Sequence, residues 1–132
     1  GKIAPAWGTL FCNGVLCNML VCLAVWIGFG ARTTVDKVIG VILPVSAFVV
    51  MGFEHCVANM FFLPMGLAAK AAGFGTAVAG ADALTVNGML YNLSAATLGN
   101  IVGGVLIVVV GYWIAYGREA HKLEHEVEEL AE

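Results

Sequence analysis

Apolar residues in this chain come in long runs, not at the alternating or amphipathic spacings of a water-soluble domain. The first run extends from about Ala4 to Ala31 and closes on Gly30, Arg32 and two threonines. It exceeds the roughly 20 residues needed to cross a hydrocarbon core about 30 Å thick, so it predicts a transmembrane helix. Trp7 and Trp26 fall near its opposite ends, where interfacial tryptophans concentrate. The second run, Val38 to about Lys70, is too long for one crossing. As a continuous helix its 33 residues would extend about 50 Å. Pro44, Gly52 and Pro64 interrupt it, which predicts a helix that stops between about Val49 and Phe53 and then restarts. Residues 71–92 are weakly polar and rich in glycine and alanine, so they read as an extramembrane connection with room for a short helix. A third span follows from about Leu93 to Tyr116. The predicted class is an all-α membrane protein with three spans, the middle one broken.

Composition agrees with the pattern. Of the 132 residues 61% are hydrophobic and only 11% charged, with a mean hydropathy of +0.93. The net charge of −3 arises at one end, because residues 119–132 hold six of the nine acids. That balance excludes a nucleic-acid-binding stripe. In the acidic tail, residues 118–132, Leu123, Val127 and Leu130 keep helical spacing and predict a solvated amphipathic helix able to touch a neighbouring subunit. His121 and His125 stand at i, i+4 there; a metal site can be drawn on them, but a solvent-facing charged run accounts for them more simply. Cys12, Cys17, Cys22 and Cys56 all lie in apolar segments and match neither a zinc nor a redox spacing. They read as small buried apolar residues.

Basic residues set the orientation. Arg32 and Lys37 lie between the first two spans, and Arg118 and Lys122 follow the third. Three crossings put both pairs on one side, which the positive-inside rule makes cytoplasmic. Gly1 then starts outside, with no preceding helix or signal to carry it there, so the expectation is the C-terminal part of a longer polypeptide.

The chemistry of interest is in "GFEHCVANMFF", residues 52–62, where Glu54 and His55 stand side by side in very apolar surroundings. Irregular backbone at membrane depth is tolerated only where it is buried in protein or lines a wet cavity. A helix restarting there aims unpaired N–H groups inward, and these favour a nearby anion. His55 is expected in the first turn of that half-helix, with Asn59 one turn further on the same face. Burial and the positive helix end disfavour an imidazolium, while an approaching anion favours it. Such a group can lend a proton to the anion of a weak acid and take it back. Glu54 is rotated about 100° from His55 on a helix, so it is expected to face a different helix and satisfy a buried polar network. Within "GNIVGG" (99–104), Gly99 and Gly103 have the small-xxx-small spacing that lets helices approach closely, and Asn100 reads as a structural polar residue.

"GFEHCVANMFFLPMGL" (52–67), with "CNMLVCLAVW" (17–26) before it and "GNIVGG" (99–104) after it, resembles the second half of the formate/nitrite transporter family. The resemblance covers the chain except the 71–92 connection and the acidic tail. It implies half of an aquaporin-like six-helix subunit built from two inverted repeats. It also implies a homopentamer with one pore per subunit, traffic of small monovalent anions, and a bacterial inner (cytoplasmic) membrane location with the tail cytoplasmic. This chain would supply the fourth, fifth and sixth helices, and its principal partner would be the N-terminal half of the same subunit. By motif, His55 matches the family's central pore histidine, Phe48 and Val21 match its hydrophobic constrictions, and Asn18 matches an asparagine close to that histidine. Lys2 matches, by position alone, a basic residue of the extracellular vestibule.

Taken without the resemblance, Phe48 and Val21 read as ordinary packing residues, and Lys2 as a helix-end lysine reaching the interface. Asn18 is a mid-helix carboxamide that needs an interhelical partner. The function expected is a channel or proton-coupled transporter for formate, nitrite or hydrosulfide, in which His55 transiently protonates the anion between apolar constrictions. The alternatives are a pore for water or a neutral solute, and the membrane anchor of a respiratory enzyme with His55 ligating haem. No motif resembles a catalytic triad, a nucleotide loop or a metal cage, so neither enzymatic activity nor a cofactor is expected.

Overall fold

In the computed structural model, residues 5–75, 81–117, 119 and 121 are described, and all the regular structure among them is helical. Helix α1 spans Trp7–Gly30, α2 spans Thr34–Val50, and α3 spans Cys56–Ala71. Helix α4 starts at Val86 and continues through residue 117, with Val102–Val109 wound as a π-helix.

Local chemistry explains where these helices begin. Thr33 and Asp36 form a reciprocal capping box: the Asp36 N–H donates to Thr33 Oγ1 at 3.1 Å, and the Thr33 N–H donates to Asp36 Oδ2 at 3.1 Å. Two helical donors are thereby satisfied, and α2 starts four residues before the apolar run does. Thr85 caps α4 in the same way, its Oγ1 accepting from the Gly88 N–H at 3.1 Å. The third span therefore starts at Val86 and not near Leu93, and residues 86–92 are helix where a connection was expected. The polar residues Asn87 and Asn92 dilute the apolar signal of those first turns without affecting the cap.

The long middle run breaks once. Helix α2 ends in a Schellman turn: Gly52, at φ +69°, donates its N–H to the Val49 carbonyl at 3.1 Å, and the Phe53 N–H reaches back to the Phe48 carbonyl at 3.0 Å. Neither Pro44 nor Pro64 breaks the chain; each lies inside its helix. Residues Phe53–His55 are non-helical, and Cys56 opens α3. Helix α3 closes with a second turn of the same kind at Gly73 (φ +83°). Lys70, in the last turn of α3, donates its Nζ to the carbonyls of Ala81 (2.7 Å) and Leu84 (3.1 Å), tying the approach to α4 against α3.

Helix α1 is the centre of the arrangement, packing on α2 and along α4 into its π-helical stretch, while α3 packs on α4. The α1–α4 contact is made by backbone. A Cβ on Gly14 would lie 2.9 Å from the Ala96 carbonyl oxygen, and a Cβ on Gly99 or Gly103 would collide with the carbonyl of Phe11 or Val15. The Trp7 indole N–H also donates to Ser94 Oγ at 3.1 Å across this seam. Elsewhere the molecule shows large apolar side chains outward, including Phe29, Leu43, Val50 and Trp113.

Candidate functional site

The break between α2 and α3 carries the candidate chemistry. His55 is the N-cap residue of α3, yet its side chain makes no capping bond. Asn100, from the middle of α4, supplies the cap in its place. Its Oδ1 accepts the Cys56 N–H at 3.0 Å, and its Nδ2 donates to the carbonyls of Glu54 (2.8 Å) and Gly14 (2.9 Å). One carboxamide thus fixes the irregular segment to α1 and α4 together. The imidazole is left free of structural duty. Its Nδ1 is buried and has no hydrogen-bond partner among the described residues. The Phe48 ring, from the last turn of α2, lies 5.7 Å from the imidazole, centroid to centroid, and is tilted 52° to it.

Glu54 turns the other way. It is 3% exposed, and its Oε2 accepts hydrogen bonds from the carboxamides of Asn59 and, at 3.1 Å, Asn92. Asn59 Nδ2 also donates to Asn92 Oδ1 at 2.8 Å, so the three side chains close a ring between the break, α3 and α4. Asn59 shares a turn with His55, and its N–H donates to the His55 carbonyl at 2.8 Å. Its carboxamide nevertheless joins Glu54, not the imidazole.

The remaining candidates are spread along α1. Asn18 donates its Nδ2 to the Asn100 carbonyl at 2.6 Å, so it reaches the site through the residue that caps α3. Val21 follows three positions later and is half-buried. Lys2 and His125 lie outside the described residues, as does most of the acidic tail. Among the described residues no group of three or more histidine, cysteine or acidic side chains could hold a metal ion. Sequence reasoning missed Asn92, which it assigned to a connection. The available signal was Thr85 with Gly88 three residues on, a capping pattern that places Asn92 two turns inside a helix.

A profile of the formate/nitrite transporter family matches residues 1–114. The chain belongs to this family. Among curated members of the formate/nitrite transporters, the formate channel FocA of Escherichia coli K12 is 46% identical over 116 residues, covering 82% of this chain and 41% of that protein. A probable formate transporter of Methanothermobacter thermautotrophicus is 38% identical over 121 residues, covering 90% and 40% respectively. Among solved structures, a pentameric formate channel with formate bound superposes with a TM-score of 0.77 at 44% identity, over 87% of this chain and 48% of that one. An ion channel of the same family gives a TM-score of 0.72 at 37% identity. The all-α membrane fold is thus the family's, and the chain spans less than half the length of these relatives.

Proposed function

We propose that this chain forms half of a pore for small monovalent anions, with formate as the leading substrate and nitrite and hydrosulfide in the same class. The observation that carries the reading is His55: a buried imidazole at the mouth of a restarted helix, relieved of capping by Asn100, with an unpartnered Nδ1. Phe48 and Val21 serve as apolar constrictions on either side, and Asn18 and Asn59 as the polar contacts of the pathway. A bare anion crosses an apolar ring only at high cost, whereas the neutral acid crosses readily. A proton therefore moves from the imidazolium to an oxygen of formate, giving formic acid and neutral imidazole. Returned beyond the ring, the proton regenerates both charges and the anion alone has crossed; carried away with the acid, it is replaced from solvent and transport is symport.

The active assembly in this reading is a homopentamer, each subunit completed by its N-terminal half, in a bacterial inner membrane with the acidic tail cytoplasmic. Lys2 gathers anions at the outer vestibule. The names of the relatives, channels and transporters for formate, support the choice of substrate class. The test is flux in proteoliposomes holding the full-length polypeptide, with formate, nitrite and hydrosulfide offered across pH. His55→Gln is expected to remove the pH dependence of formate flux. A variant whose flux follows pH as the wild type does would overturn the role given to His55. Currents that reverse with the formate gradient identify passive conduction, and electroneutral flux identifies symport.

A further inference from the structure

The ring of Glu54, Asn59 and Asn92 is not needed to cap α3 or to free the imidazole, since Asn100 does both. It is nevertheless built at a cost. Asn59 and Asn92 have no exposed surface, Glu54 is nearly as buried, and apolar side chains would join α3 to α4 without desolvating polar groups. The donor pattern has a chemical meaning. Two carboxamide N–H groups converge on Oε2 of Glu54, an arrangement that suits an acceptor-only, ionised carboxylate and not a protonated one. Glu54 is the chain neighbour of His55, so the charge it carries is set beside the imidazole.

We propose that Asn92 is a positioning residue of the permeation pathway: by donating to Glu54 and accepting from Asn59, it keeps the carboxylate ionised next to His55 and thereby sets the pH range over which the imidazole can carry a proton. The proposal rests on the role given to His55 above. The other titratable groups on the surrounding elements are the thiols of Cys17 on α1 and Cys56 on α3. Helix α2 presents the Phe48 ring, and α4 presents the carboxamides of Asn92 and Asn100.

The sign follows from charge. Removing the Asn92 donor leaves the ionised carboxylate less well held, so Glu54 takes up a proton more readily and the imidazolium loses its neighbouring anion. A more acidic medium is then needed to protonate His55. Asn92→Leu, nearly isosteric, is expected to move the midpoint of the formate flux profile to lower pH by about one unit. Asn92→Asp is the rescue. Two carboxyl groups in contact share one proton, so the pair keeps both the donor and the single negative charge, and the midpoint returns to the wild-type value over the acidic range.

In the His55→Gln background Asn92→Leu is expected to cause no further pH effect. Pentamer assembly in detergent is measured alongside, and Asn92→Ser replaces the leucine variant should that one not assemble. A leucine or serine profile that overlays the wild type, or leucine and aspartate variants with the same displaced midpoint, would overturn the proposal. So would failure of both leucine and serine variants to assemble, which marks Asn92 as a structural tie. Loss of pH dependence in His55→Gln with no shift in Asn92→Leu refutes this proposal alone, whereas an unchanged His55→Gln profile refutes the reading beneath it.

Discussion

Gly52 and Asn100 carry the break, and each is exposed to a different kind of substitution. Gly52 holds φ +69° at the end of α2, and a Cβ placed on it would meet nothing within 4 Å. The cost of Gly52→Ala is therefore one of backbone conformation alone, about 1–2 kcal/mol for an L-residue in the left-handed region. Thermal unfolding in detergent is expected to show a correspondingly lower midpoint, and Gly52→Asn a smaller drop, because asparagine visits that region more readily. Asn100 is buried and serves three main-chain groups. Asn100→Leu strands the Cys56 N–H and the carbonyls of Glu54 and Gly14; at about 1–3 kcal/mol for each unsatisfied group the loss is about 3 kcal/mol or more. The same melting measurement checks it, and a variant as stable as wild type would show that the cap is made by something else. The sequence made Gly52 legible as a breaker, because glycine between two apolar runs has few other uses. The cap from Asn100 was not legible, because the two partners are 44 positions apart and only the packing of α4 on α3 brings them together.

Helices were predictable by length and apolar content, but their starts were decided by caps. Thr33 with Asp36, and Thr85 with Gly88, outweigh the hydropathy of the residues that follow them. The lesson is sharpest in α4, which runs 32 residues from Val86 to Gly117, about 48 Å. That exceeds one bilayer crossing, and hydropathy alone trims such a helix to its most apolar portion. The trimmed part held Asn92, so the ring around Glu54 could not be assembled from sequence, although Glu54 itself was expected to satisfy a buried network. His55 was legible because an ionisable group in so apolar a run has few structural explanations. Asn18 was legible as a carboxamide in need of an interhelical partner, and that partner is the Asn100 carbonyl. The partner could not be named beforehand, because a main-chain acceptor leaves no mark in the sequence.

The three helices and the broken segment form one body only because α1 and α4 approach at backbone distance. Gly14, Gly99 and Gly103 make that seam, and Asn18 and Asn100 fasten hydrogen bonds across it where side chains leave no room. In lipid, burial of apolar surface does not drive helices together, so close packing and these few bonds must hold the site. The spacing of Gly99 and Gly103 announced a helix contact, but its partner, the Gly14 face of α1, emerges only from the fold. A sharp expectation follows. Gly103→Leu places side chain against the Val15 carbonyl, which cannot yield without parting the helices, and is expected to cost about 3 kcal/mol, the upper end for overpacking, or to abolish the folded state. Gly111→Leu lies further along the same helix, where a Cβ meets nothing within 4 Å, and should melt within about 0.5 kcal/mol of wild type. Size-exclusion profiles and melting curves in detergent, taken for both variants, compare the seam with the open face of one helix. Equal stability of the two would mean that α1 and α4 are held by something other than their backbone contact, and that the placement of Asn100 over the start of α3 does not depend on it.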